Sequence, residues 1–420
     1  MKFWSKQKIF SWLPQLDYQV WILAVGRLLS QIGTGFTLFY LPIFFVNQVG
    51  LSATAVGIGL GSASVSGVLG RILGGSMSDS RSWGRKPTLL LSAAVSAIAS
   101  LFLAAAYNFP SFVIGNLIMG FGVGLYWPST EAVVADLSRS EDRNEAYALT
   151  RLADNIGLGL GVVLGGTLIA ISGAYRALFV IDAISFAIFF VVVCWKIRET
   201  SELISADQQQ SNGWAIALQD RKLMIYVLVN VLITSYLAQV NSTMPLYFKN
   251  FVRHGEGFDS ITISVLFTWY LGLSICCQLP VARFLNRYSR PQALVISSLL
   301  WAMGFVLIWV TGVTPANSLV WAILGLAVLA IATVAYTPAA SSLVADLAPE
   351  SLRGVYLSIN SLCWAVGYFI GPPLGGFALD QTRLLANTFW LGLALSVGIA
   401  ILILQYLNRI LLDSHHSNYE

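Results

Sequence analysis

The sequence predicts an all-α membrane protein: 12 transmembrane helices in two six-helix pseudo-repeats. Three observations carry that prediction. Of 420 residues, 56% are hydrophobic and only 10% charged, where a soluble chain carries about 25% charged residues. Apolar windows of about twenty residues recur from end to end, and in lipid such windows satisfy their backbone polar groups as helices. The second half of the chain also repeats the first at a spacing of half its length.

Breaks at Gly, Pro, Asn and charge clusters place the spans near residues 32, 65, 97, 123, 159, 185, 235, 271, 302, 331, 367 and 395. Span 1, Val20 to about Val46, exceeds a signal-peptide core and precedes no small-residue cleavage site, so it reads as a membrane helix rather than a cleaved leader. It carries Arg27, Gln31 and Thr34 at helical spacing. Span 2 carries the small residues Gly59, Ala63 and Gly67 four apart, a stripe that lets backbones approach in lipid. Span 3 is apolar. Span 4 carries Asn116, Trp127 and Glu131, and span 5 carries Gly157, Gly161 and Gly165. Span 6 is apolar except for Asp182, which reads as structural, not far from Arg176. The series then repeats. Span 7 has Asn230, Thr234 and Asn241; span 8 has Ser264, Thr268, Gly272 and Cys276; span 10 has Thr333 and Tyr336; span 11 has Gly367, Gly371 and Gly375. Spans 9 and 12 are apolar. A period of three helices thus sorts the spans into cavity-lining, close-packing and lipid-facing roles.

The polar, Gln-rich stretch SELISADQQQSNG divides the chain. The expected organisation is an N-terminal bundle over 1–195, a cytoplasmic linker loop over 196–222 and a C-terminal bundle over 223–420. Slid by 210 residues, 127–166 lies on 337–376 without a gap. The matches are Pro128/Pro338, Val134/Val344, Ala135/Ala345, Asp136/Asp346, Leu137/Leu347, Arg143/Arg353, Leu152/Leu362, Gly157/Gly367, Gly161/Gly371, Leu164/Leu374, Gly165/Gly375 and Gly166/Gly376. Matching glycines and charges do not follow from apolar bias. The halves are read as parallel repeats about an axis along the membrane normal, an arrangement common among secondary transporters.

Lys and Arg are unevenly shared between alternate loops. Lys2, Lys6, Lys8, Arg81, Arg85, Lys86, Arg139, Arg143, Lys196, Arg198, Arg221, Lys222, Arg283, Arg287, Arg290, Arg353 and Arg409 fall on one side; only Arg176, Lys249, Arg253 and Arg383 fall on the other. The positive-inside rule then puts both termini in the cytoplasm of a cell membrane. It also accounts for the net charge of +4 without a nucleic-acid partner. Cys194, Cys276, Cys277 and Cys363 lie in apolar runs with neither metal nor disulfide spacing. His254, His415 and His416 lie in a loop and the tail. No phosphate-binding Gly-x-x-x-x-Gly-Lys-Ser/Thr loop and no acid, base and nucleophile trio near either membrane face is present. The expectation is a monomer that is not an enzyme, takes no metal or cofactor, and deals with a small molecule, protons and the bilayer.

One loop concentrates charge. SMSDSRSWGRKP, 76–87, follows span 2, whose last turn holds Asp79. An acid at a helix C-terminus opposes the dipole, so Asp79 is expected to face a partner such as Arg85 in a latch that opens and closes. Gly75, Asp79, Arg81, Gly84, Arg85 and Lys86 resemble the signature loop of the major facilitator superfamily, with the second Gly five rather than three residues after the Asp. A worn copy, Asn286, Arg287, Tyr288, Ser289 and Arg290, follows span 8. Span 11 has the antiporter-associated pattern of that family in full, as Gly367, Gly371, Pro372, Gly375 and Gly376. Span 5 has Gly157, Gly161, Gly165 and Gly166 with Val162 in the proline's place. Asn116 sits near where such antiporters often carry arginine, and 220–248 is similar to span 7 of drug–proton antiporters. The resemblance covers nearly the whole chain. It implies two bundles around a midplane site that opens to either side in turn.

Arg27, Arg71, Glu131, Arg151 and Asp154 lie about 4–8 residues in from the cytoplasmic edge of their spans, at one depth. Charges there cost about 2.5–3.5 kcal/mol each, so the expectation is one network, Arg27 and Arg71 with Glu131 and Asp154, and Arg151 next to Asp154. It either locks helices together or exchanges a proton during transport. Gln31, Thr34, Asn116, Trp127, Asn230, Thr234, Asn241, Trp269, Tyr336 and Trp364 are the candidate cavity residues, with Tyr368 a further aromatic on the same helices; aromatic walls with a few polar donors suit an amphipathic organic molecule. The reading is proton-coupled efflux of small organic compounds. Its alternatives are a facilitator or symporter of a sugar or other metabolite, which the missing span-5 proline favours, and a transporter-like receptor.

Overall fold

The computed structural model describes residues 16–78, 80, 83–138, 143–199, 211–285, 287–349 and 352–416. Twelve helices in it are long and apolar enough to cross a membrane: spans 1 to 12 are Tyr18–Asn47, Ala53–Ser78, Arg85–Ala105, Phe109–Val134, Leu149–Ser172, Tyr175–Lys196, Arg221–Asn241, Ser260–Gln278, Arg290–Val313, Pro315–Val344, Val355–Leu379 and Arg383–Leu412. The face where span 1 begins is the proximal face; the other is distal.

Helix starts follow the local chemistry. Asp17 accepts from the Gln19 amide and Asp220 from the amides of Lys222 and Leu223, capping spans 1 and 7. Asn108 with Ser111, and Ser289 with Gln292, form capping boxes with a proline in the first turn, where no amide partner is needed. The 21 residues of span 7 rise about 31 Å, enough to cross the hydrocarbon. The expected linker contains a nine-residue helix, Ser211–Gln219, whose Ala217 is fully buried.

The repeat is visible in three dimensions. Span 1 is interrupted after Leu38 and resumes as Tyr40–Asn47 with Pro42 inside; span 7 ends at Asn241 and is followed by Thr243–Asn250 with Pro245 inside. Proline lacks the N–H that would continue the ladder. Span 1 packs on spans 5 and 6 as span 7 packs on 11 and 12, span 4 on 2 and 3 as span 10 on 8 and 9, and span 3 on 6 as span 9 on 12. Between the halves, span 2 lies along span 11 and span 5 along span 8.

Small residues set these approaches. A Cβ on Gly35 of span 1 would lie 2.8 Å from the Gly161 Cα of span 5, so the two backbones touch. On span 2, Gly57 meets the Pro372 carbonyl of span 11, whereas Gly59 meets the Phe112 ring and Gly67 the Gly120 carbonyl of span 4. The stripe seen in the sequence therefore packs within a half, and the neighbouring Gly57 and Gly61 form the contact between halves. The sorting by exposure also differs from expectation. Spans 1 and 7 are the most enclosed, with 67% and 61% of their apolar windows buried, but the small-residue spans 2, 5 and 8, at 33, 33 and 28%, are no more enclosed than spans 3, 6, 9 and 12, at 44, 44, 44 and 33%, and span 11, at 39%, exceeds only span 12. A narrow glycine stripe buries little area, and the rest of such a helix is left to lipid. Leu69, Ile98, Ile171, Leu395 and Leu402 are among the large apolar side chains on the outer surface.

Candidate functional site

Arg27 of span 1 is 1% exposed. Its Nε donates to Asp154 Oδ1 of span 5 at 2.9 Å, its Nη2 to Asp154 Oδ2, and its Nη1 to Thr130 Oγ1 at 3.3 Å. The guanidinium lies 5.7 Å from the Tyr126 ring centroid and 5.8 Å from that of Trp127. A second pair follows: Arg151 Nη2 donates to Glu131 Oε1 at 2.8 Å, and its guanidinium lies 4.8 Å from the Trp127 ring centroid. Trp127 thus links the two pairs. These side chains of Arg151 and Glu131 are 54% and 44% exposed. Both lie within three residues of the proximal ends of spans 5 and 4, Leu149 and Val134. Glu131 also lies near enough to Arg27 and Arg71 to act on their charges.

The expected single network is therefore corrected to two ion pairs and one separate arginine. Arg71 of span 2 has no carboxylate partner among the described residues; its Nη1 donates to Ser361 Oγ of span 11 at 2.7 Å, across the junction between halves.

The C-terminal half holds the corresponding place with neutral groups. Asn230 of span 7 is fully buried and donates to Asn360 Oδ1 of span 11 at 2.8 Å. Tyr336 of span 10 donates to Asn230 Oδ1, and Tyr226 to Asn360 Oδ1 at 2.7 Å. Tyr336 is the repeat partner of Tyr126 in the 210-residue register. The same locus is thus ionic in one half and an amide–phenol network in the other. Thr234 Oγ1 donates to the Cys363 carbonyl at 3.0 Å, and Asn241 donates to the Tyr368 hydroxyl at 2.6 Å. The Trp364 ring lies 6.3 Å from that of Tyr336 and stacks on Tyr368 at 6.2 Å.

The remaining candidates make the following contacts. Trp269 is 42% exposed and donates to the Ile323 carbonyl on span 10. Asn116 is buried against its own helix, donating to the Phe112 carbonyl at 2.9 Å. Thr34 donates to the Ser30 carbonyl at 3.4 Å, and Gln31 packs beside Gly157. Asp182 of span 6 is buried and accepts from Ser100 at 2.7 Å, while Arg176 donates to the carbonyls of Ala104 and Ala106. Asn360, Tyr226, Thr130 and Ser361 are absent from the sequence-derived set; the register match of Tyr126 with Tyr336 was the available pointer to the neutral cluster.

At the proximal face Asp79 and Arg81 lie outside the described residues. Arg85 pairs with Asp136 at the end of the helix that contains span 4. Its half-repeat counterpart is Arg290 Nε with Asp346 Oδ2 at 3.6 Å. Glu199 accepts from the backbone amides of Arg85 and Lys86, both at 3.0 Å, and Lys86 Nζ donates to the Cys194 carbonyl. Gly84 has φ +93°, a left-handed conformation for which glycine is suited, and a Cβ there would press on Glu199. Gly75 has open space around it.

The distal face is closed. Asn47 and Asn250, 203 residues apart, exchange two amide hydrogen bonds of 2.9 Å. Asp380 after span 11 accepts from the amides of Ala53 and Thr54 at 2.8 and 2.7 Å, capping span 2 from the other half. Ser264 of span 8 donates to the Val162 carbonyl of span 5 at 2.9 Å.

Two repeated six-span halves that carry charged and polar clusters within their apolar spans define the secondary-transporter class of membrane protein. The Major Facilitator Superfamily model matches residues 23–256 and 250–416, and the chain belongs to that superfamily. It is 26% identical over 394 residues to the multidrug resistance protein MdtH of Aeromonas hydrophila, covering 91% of this chain and 94% of that one. It is 24% identical over 400 residues to a Na(+), Li(+), K(+)/H(+) antiporter of Planococcus maritimus, covering 87% and 89%. The crystal structure of the nucleoside transporter NupG superposes with a TM-score of 0.79 at 15% identity, covering 93% of this chain and 98% of that one, a likeness of fold.

Proposed function

We propose that the protein exports small, drug-like organic compounds in exchange for protons, rocking its two halves about the space between them. The observation that carries this is the asymmetry of the two clusters: Arg27–Asp154 and Arg151–Glu131 on one side, Asn230, Asn360 and Tyr336 on the other. The lysine and arginine bias of the loops assigns the proximal face to the cytoplasm, so the distal closure by Asn47, Asn250 and Asp380 is the outer gate. Asp154 is clamped by a buried, two-bonded guanidinium and serves as an anchor. Glu131 has one bond to a half-exposed arginine. Cargo that displaces Arg151 removes the one cation bonded to Glu131, and a proton takes that cation's place on the carboxylate; departure of the cargo restores the pair. The names of the multidrug and cation/proton antiporter relatives support export and antiport.

The test is flux in proteoliposomes with an imposed pH gradient, screened over a panel of drug-like compounds. Wild type is expected to accelerate with the gradient. Glu131→Gln is expected to keep labelled-substrate counterflow and lose the gradient response, and Asp154→Asn to lose both. Wild-type flux indifferent to the gradient would sink the antiport reading.

A further inference from the structure

We infer that the cargo carries a negatively charged group and that the guanidinium of Arg71 reads it; this rests on the transporter reading above and names its substrate class. Of the five charged side chains in the N-terminal cluster, Asp154 is taken by Arg27 and Glu131 by Arg151. Three guanidiniums against two carboxylates leave one positive charge in excess, and it is Arg71, which has no carboxylate within salt-bridge distance among the described residues. Among the described residues its hydrogen bond is from Nη1 to the neutral Ser361 hydroxyl. A guanidinium has five N–H donors in a planar fork that fits a carboxylate, sulfonate or phosphate in two parallel bonds. An arginine in a span whose nearby acid, Glu131, is already bonded to another arginine is incompletely neutralised and costly, and an anionic cargo supplies a bonded partner.

The surroundings extend the argument from charge to shape. Ser361 marks where Arg71 meets the other half. Trp364 and Tyr368 follow it at three and seven residues, on one face of span 11. Their rings stack at 20° and Tyr336 lies beyond Trp364. An organic acid with its charge on Arg71 has an aromatic wall along its body. A cationic cargo meets the excess positive charge instead.

The experiment measures equilibrium binding of tritiated indole-3-acetate, indole-3-acetamide and tryptamine to the purified full chain in nanodiscs, three probes with one ring and charges of −1, 0 and +1. The acid is expected to bind at least about tenfold tighter than the amide, as a charge-assisted contact provides, and tighter still than the amine. Arg71→Gln should bring acid and amide within about twofold, and Arg71→Lys, which keeps the charge and loses the fork, should retain part of the preference. Ser361→Ala removes the bond between halves and should keep the preference. Wild type that fails to bind the acid, or binds it no better than the amide, overturns the inference without any variant. So does Arg71→Gln that still prefers the acid, or Ser361→Ala that loses the preference as fully as Arg71→Gln. Counterflow of the bound acid in proteoliposomes is read separately: binding without exchange sinks the transporter reading and leaves the anion site, while exchange of amide or amine in place of the acid does the reverse.

Discussion

The Arg27–Asp154 pair allows a quantitative test by double-mutant cycle. Asp154→Asn leaves a guanidinium that is 1% exposed facing a neutral amide, whose carbonyl keeps one of two bonds. Losing one partner of a buried ion pair costs about 3–5 kcal/mol. The retained bond returns about 1 kcal/mol, so a loss of about 3 kcal/mol is expected. Arg27→Met strands Asp154 instead, and that side chain, 12% exposed, is less completely desolvated, so about 2 kcal/mol is expected. Removing both leaves no buried charge, and methionine fills much of the volume against Tyr126 and Trp127, so the double variant should lose about 1 kcal/mol or less. The cycle then yields a coupling of about 4 kcal/mol. It is read from reversible unfolding in mixed micelles, followed by far-ultraviolet circular dichroism and tryptophan fluorescence. Additivity of the two single losses to within about 0.5 kcal/mol would refute the pair as a unit and with it the anchoring role of Asp154.

Two further outcomes follow from the same geometry. Asn47→Ala and Asn250→Ala remove the same two exposed hydrogen bonds, so each should raise the open population of the distal gate by the same factor, roughly fivefold for about 1 kcal/mol. Maleimide labelling of a cysteine at the buried distal residue Leu246, in a cysteine-free background, reads this; unequal effects would show that the amides do not act as a pair. Arg85→Ala should cost about 2–3 kcal/mol and its repeat counterpart Arg290→Ala less than about 1, because the first pair is 8% and 24% exposed and the second 40% and 63%. Equal melting shifts would mean that burial does not set the strength of these latches.

Much of the site was visible as a set of residues and little of it as a set of contacts. A charge in an apolar run is conspicuous, which is why Arg27, Arg71, Glu131, Arg151 and Asp154 stand out in one dimension. Their depth follows from helical rise. Their partners do not: Arg71 and Glu131 share a depth, yet Arg71 turns to Ser361, because the rotation of span 2 about its axis is set by Gly57 and Gly61 against span 11. Trp269 shows the same limit, since an aromatic in an apolar span is equally suited to lipid and to a cavity. Asn360 is inconspicuous in the sequence because it lies among serines near the start of span 11, where a polar residue carries no surprise.

The sequence by itself determined the number of spans, their order and the two-fold repetition. Lipid accepts no unpaired backbone, so twenty apolar residues can only become a helix, and duplicated glycines and charges survive translation by 210 residues. Tertiary structure alone decided that one locus is an ion pair in the first half and an amide–phenol cluster in the second, which arginine is left without a carboxylate, and which face is shut. Those outcomes depend on side chains 127 or 203 residues apart meeting within 3 Å. Such meetings are fixed by helix rotation and close backbone packing, to which hydropathy is blind.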